Sequence, residues 1–186
     1  MRTQGGHSYH GFGSPNAIAE LCSLVCDLYD ITPPDDSTTY NVGRIEGGTT
    51  INSIAAEASM LFEYRSTSEE TLAEMREVLE RVISKHQGEG VSITIETIGI
   101  RPGNGNVDEK ALAALTERNL DVLHSVTGCE PKLYAASTDS NIPLSLGIPA
   151  NTVGAVSGAL LHTRDEWIEK ESLKQGLRVI LGCMLS

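Results

Sequence analysis

Two histidines stand in loops built of small and polar residues. His7 lies in Gly5-Gly6-His7-Ser8, and His162 opens His162-Thr163-Arg164-Asp165-Glu166. Neutral imidazole is a common zinc ligand, and a neighbouring carboxylate can orient it. One histidine does not hold a metal by itself, and the chain contains neither His-Glu-x-x-His nor His-x-Asp. It also lacks a nucleophile elbow and a phosphate-cradling glycine loop. Taken alone, His162 also reads as an ordinary surface-loop histidine, and residues 5–8 as a strand running into a solvated loop. Thr138-Asp139 either orients a group in a cleft or caps a short helix. His86 and His124 fall on helix surfaces or ends and carry no assigned role.

The elements that would position these residues follow from periodicity. Helical spacing predicts a helix over 15–29, capped by Ser14, with Ile18, Leu21, Cys22, Val25, Leu28 and Tyr29 as its buried stripe. Alternation predicts strands over 38–46 and 55–65, the second with Ala56, Ala58, Met60, Phe62 and Tyr64 on one face. Thr67 and Glu70 form a capping box for a helix over 67–87, and a strand follows over 91–100. If residues 2–7 are extended, the order is β-α-β-β-α-β. That is a ferredoxin-like, α+β arrangement of a four-stranded antiparallel sheet under two helices. A turn-rich linker over 101–106 separates this domain, residues 1–102, from residues 103–186. There, helices over 108–126, 140–146 and 168–185 alternate with short apolar strands over 132–135 and 148–153, the pattern of a partial α/β segment. Leu173, Leu177, Ile180, Leu181 and Met184 are the inward stripe expected of the last helix.

Composition narrows the classes. Lys+Arg 14 against Asp+Glu 25 gives a formal net charge of −11 over 186 residues. That balance argues against non-specific nucleic-acid binding and against docking on an anionic membrane. No apolar run reaches the roughly 18 residues a span needs. Cys22, Cys26, Cys129 and Cys183 show no disulfide spacing and read as buried or free thiols of a reducing, cytoplasmic compartment.

Together the pieces are more specific than any one of them. Gly5-Gly6-His7-Ser8 precedes Gly13-Ser14-Pro15-Asn16-Ala17-Ile18. Then come Ile45-Glu46-Gly47-Gly48-Thr49-Thr50-Ile51-Asn52-Ser53-Ile54, Glu63-Tyr64-Arg65-Ser66, Ser137-Thr138-Asp139-Ser140-Asn141, and finally Gly154 through His162 to Trp167-Ile168. This series resembles the aminoacylase, carboxypeptidase G and peptidase T family of zinc-dependent peptidases and deacylases over nearly the whole chain. It matches that family's inserted lid, or dimerisation, domain and the carboxyl-terminal portion of its catalytic domain.

The resemblance implies hydrolysis of a peptide or N-acyl amino-acid amide at a two-zinc site, and a homodimer formed through the lid. By position, His162 matches the last metal ligand. His7 matches the lid histidine that polarises the scissile carbonyl in the partner subunit. Asn52 matches a substrate-contacting lid residue, and the loop of Gly154, Ser157 and Gly158 matches a segment lining the substrate cleft. Arg65 matches an arginine closing an Asp-x-Arg strand; Glu63 replaces the Asp, so that pair reads as structural. The family's amino-terminal metal ligands and glutamate base have no counterpart here, and the chain starts almost inside its first motif. The expectation is a carboxyl-terminal fragment, inactive alone; the alternative is a non-catalytic dimerisation or regulatory module derived from that family.

Overall fold

Alternation along 58–65 gives a strand with one covered side and one wet side, and that strand organises the amino-terminal half. The computed structural model describes residues 1–186, which divide into two compact units, Met1–Ile98 and Gly99–Ser186. The first unit runs β1 (Gly6–His7), α1 (Ala17–Tyr29), β2 (Thr39–Gly47), β3 (Ser53–Ile54), β4 (Ala58–Arg65) and α2 (Glu69–His86). β2 and β4 are antiparallel, from Thr39 opposite Arg65 to Gly47 opposite Ala58, with a register slip between Val42 and Arg44. Ala58, Met60, Phe62 and Tyr64 are buried or half-buried, and the residues between them are exposed. Glu63 and Arg65 share the wet side as an ion pair of 2.9 Å.

The sheet is assembled from short ladders. Arg2 bridges Glu57 on one side and Ser92 on the other, both antiparallel. Met1 and Thr3 add main-chain bonds to the same neighbour: Thr3 N–H reaches Ala56 O at 2.8 Å, and Ala58 N–H reaches Met1 O at 3.0 Å. The lateral order is therefore Ser92, Arg2, β4, β2, which is the ferredoxin-like order. The strand expected over 91–100 shrinks to this bridge. Val91 turns back on Gly88, and residues 94–100 carry no ladder.

Two helices cover one face. The core joins Ala17, Leu21, Leu24 and Leu28 of α1 with Ala55, Ala58, Val82 and Ile83. Burying a leucine such as Leu24 or Leu28 contributes about 1.5–3 kcal/mol. The stripe differs from the expected one: Ile18, Cys22 and Tyr29 are exposed, and Ala17 and Leu24 take their place. Small Ala17 lies against the loop before β4, where its N–H bonds Ala55 O at 2.9 Å, and this turns the helix. Asn16, rather than Ser14, caps α1, its Oδ1 accepting from Ile18 N–H at 3.0 Å. Ser68, rather than Thr67, caps α2. His86 is not a surface residue: its side chain is 11% exposed and its Nε2 lies 3.1 Å from Asp27 Oδ2, tying α2 to α1.

Asp35 organises the loop between α1 and β2. Its carboxylate accepts from the Ser37 hydroxyl and N–H, the Thr38 hydroxyl, and the Thr71 hydroxyl at the start of α2. These donors, Ser37 first, lower its pKa to about 2. A depressed carboxylate stabilises the fold above its unfolded pKa of 3.8 and loses that contribution as pH falls through about 2. Asp35→Asn should therefore lower the Tm at pH 6 and flatten the acid limb of Tm between pH 4 and about 2, relative to the unsubstituted chain; identical acid limbs would refute this.

The second unit runs α3 (Glu109–Thr127), α4 (Asn141–Ser145), β5 (Gly158–Ala159), β6 (Trp167–Ile168) and α5 (Ser172–Leu185). Asp108 caps α3 through Lys110 N–H at 2.9 Å. The two strands expected here do not form. Residues 132–135 and 148–153 pair with no strand, and the one ladder is the antiparallel hairpin of β5 and β6. A buried-strand composition calls for a partner on each edge, and this unit offers none to either segment. α5 also turns differently from expectation. Ser172, Gly176 and Val179 are buried, and Leu173, Leu177, Ile180, Leu181 and Met184 are exposed. The cysteines are all free, with Cys22, Cys26 and Cys129 exposed rather than buried. No helix is long and apolar enough to cross a membrane.

Candidate functional site

In the first unit, the β1–β3 ladder joins residues far apart in sequence. His7 stands opposite Ser53, and Ser8 N–H donates to Asn52 O at 3.0 Å, so His7 and Asn52 meet at one end of the sheet. Gly5 makes the approach possible. It sits at φ 69°, and a Cβ there would fall 2.9 Å from that of Ala56. The Asn52 Oδ1 accepts from Thr50 Oγ1 at 3.0 Å.

The His7 ring has a defined orientation. Its Nδ1 accepts from Tyr9 N–H at 3.2 Å, and the His10 ring lies with its centroid 5.0 Å away. An accepting Nδ1 leaves the proton of the neutral ring on Nε2. His7 is exposed, so this Nε2–H is free to donate to a developing oxyanion on a molecule outside the unit.

In the second unit, the other expected residues share one loop and hairpin. Ser157 N–H donates to Ser172 Oγ at 2.9 Å, and Ser157 O accepts from Glu169 N–H at 2.8 Å, which ties the loop to the start of α5. Gly158 pairs with Ile168, and a Cβ on it would lie 2.3 Å from Trp167 O. Gly154 has open space around it. The hairpin tip carries His162, held at φ 63°, with Leu160 at φ 61°. Left-handed backbone at a non-glycine residue costs on the order of 1 kcal/mol or more. The His162 N–H donates to Glu166 Oε2 at 3.1 Å.

Asp139 does not point into a cleft with these residues. Its side chain is fully exposed and pairs with Arg101 at 3.0 Å, and the N-cap of α4 is Ser140. A feature outside the sequence reading is Asn119, buried within the apolar stripe of α3. Its Nδ2 donates to Asn151 Oδ1 at 3.0 Å, while its own Oδ1 is buried without a partner. A cavity of about 330 Å³ adjoins it, lined by Leu115, Val153, Ile180 and Met184 among others. An asparagine spaced four and seven residues from Leu115 and Leu112 was the available signal.

No three His, Cys, Asp or Glu side chains converge in the chain. The donor set therefore does not make a metal cage.

The fold and geometry find their match among known proteins. Residues 2–91 match the model of the peptidase dimerisation domain. Those residues belong to the peptidase dimerisation domain family. The succinyl-diaminopimelate desuccinylase of Bradyrhizobium diazoefficiens is 23% identical over 186 aligned positions, covering 96% of this chain and 47% of that protein. The N-acetyldiaminopimelate deacetylase of Priestia megaterium is 30% identical over 87 residues, 45% of this chain and 23% of that protein. A tripeptidase from Staphylococcus aureus superposes with a TM-score of 0.67 at 21% identity, covering 98% of this chain and 48% of that one. Aminopeptidase PepT from Bacillus cereus gives 0.61 at 19% identity, with the same coverage. These likenesses show a shared fold. The chain spans less than half the length of each of these relatives.

Proposed function

We propose that this chain supplies the dimerising lid and the carboxyl-terminal part of the catalytic domain of a metal-dependent hydrolase, one that cleaves peptide or N-acyl amino-acid amide bonds. The observation that carries this is coverage: a desuccinylase aligns with 96% of the chain, and two peptidase structures superpose on 98% of it. The named activities of these relatives have amide cleavage in common. Zinc is the metal, and it would supply an activated water and an electrophile for the carbonyl. His162 would give it one imidazole. His7 would donate its Nε2–H to the oxyanion, Asn52 would hold substrate, and Gly154, Ser157 and Gly158 would line the cleft. The compartment is cytoplasmic.

The fragment reading is supported by surfaces left uncovered. Residues 148–153 have no strand partner, and the apolar side of α5 from Leu173 to Met184 faces solvent. A second reading, a non-catalytic dimerisation or regulatory module, draws on the lack of any cluster of three metal-ligating side chains. The DNA immediately upstream of the first codon separates the two. An in-frame segment encoding His-x-Asp and Glu-Glu supports the enzyme; a promoter and true start there support the module.

Either reading calls for a homodimer through the first unit, whose β2 pairs on one edge only. Sedimentation equilibrium should give twice the chain mass. A monomer persisting at high concentration would refute the pairing.

A further inference from the structure

We infer that Glu166 is a positioning residue for His162: its carboxylate accepts the His162 main-chain N–H and so fixes where the imidazole is presented. The inference rests on the reading of His162 as a metal ligand, and it adds the residue that sets this ligand's geometry.

The hairpin loop from Leu160 to Glu166 contains no glycine, yet Leu160 and His162 both sit at positive φ. Each is tied by a different contact. The Leu160 carbonyl accepts from both Thr163 Oγ1, at 2.7 Å, and Thr163 N–H, at 3.1 Å. The His162 N–H is held by Glu166 Oε2 at 3.1 Å. The Glu166 backbone is itself placed, because the next residue, Trp167, pairs with Ala159 in the β5–β6 ladder. The carboxylate thus reaches back across the loop from a fixed point. Loss of this acceptor lets His162 relax to negative φ, where most residues lie, and a change of φ swings the Cα–Cβ bond and the ring with it. The contact needs only an acceptor oxygen, so the glutamine amide serves where alanine does not.

The test is nuclear magnetic resonance on the isotopically labelled chain. In the unsubstituted chain, His162 should show a strong cross-peak between its own amide and Hα protons, the signature of positive φ, and its amide should resist exchange. Glu166→Gln should keep both features, and Glu166→Ala should lose both, while the Gly158–Ile168 and Ala159–Trp167 contacts persist. A strong cross-peak retained in Glu166→Ala would overturn the inference. So would equal loss in both variants, or a freely exchanging His162 amide in the unsubstituted chain. Both features are read with no metal present, so failure of the ligand reading leaves them unchanged and is distinguishable from failure of the geometry.

Discussion

No hydrolysis of di- or tripeptides, or of N-acetyl- or N-succinyl-amino acids, is expected from this chain alone at any level of added zinc, cobalt or manganese. The reason is the sum of what its residues can contribute. His7 offers an oxyanion donor, and removing one such donor from a complete site typically costs about 10²–10³ in kcat. Enzymes of this kind need far more, since accelerations run from about 10⁶ upward. The remainder comes from a positioned base and a polarising metal. Neither is assembled here: the hydrogen bond to the His7 ring comes from the Tyr9 main chain, and no three metal-ligating side chains converge. Assays with both substrate classes should stay at the rate of buffer. Turnover that His162→Ala abolishes would show that the chain is catalytically self-sufficient and would sink the fragment reading.

Legibility in the sequence followed the distance over which a signal acts. Alternation along 58–65 is local, and the structure holds it where the pattern put it; α2 likewise buries Met75, Val82 and Ile83 at helical spacing. The lateral order of the sheet was reachable because a β-α-β-β-α-β series has few ways to close. Periodicity failed where a small residue outcompeted a large one. In α1, Ala17 turned the helix away from Ile18; in α5, Gly176 and Ser172 gave close backbone approach and left the leucine stripe outside. The strands of the second unit failed for another reason: 132–135 and 148–153 have strand composition, but a strand exists only with a partner. At the site, motif order singled out His7 and Asn52, and the β1–β3 ladder sets their backbones side by side. The tie from Glu166 to the His162 amide depends on backbone at positive φ, which no spacing rule reports.

Gly176→Ala is expected to unfold the second unit or weaken it by about 3 kcal/mol or more, the upper end for overpacking. A Cβ at residue 176 would lie 1.6 Å from the Ala155 carbonyl oxygen, so backbone rather than a yielding side chain must move. Helix propensity pulls the other way, since alanine gains about 1 kcal/mol over glycine inside a helix. The clash is the larger effect because Gly176 is buried and α5 is fixed against the same loop by the Ser157–Ser172 bond. Gly182→Ala should cost less: its Cβ would meet Val122 Cγ1 at 2.6 Å, a side chain with some freedom to shift. Gly154→Ala should be close to neutral, with nothing within 4 Å. Trp167, the one tryptophan in the sequence, lies in β6 and reports on the second unit by fluorescence. Denaturant melts followed there should rank the three variants in that order, with hydrogen exchange in α1 and α2 unchanged. If Gly176→Ala melts within about 0.5 kcal/mol of the unsubstituted chain, the packing of α5 on residues 154–158 is wrong. The placement of the His162 hairpin through Ser157 and Ser172 would then fall with it.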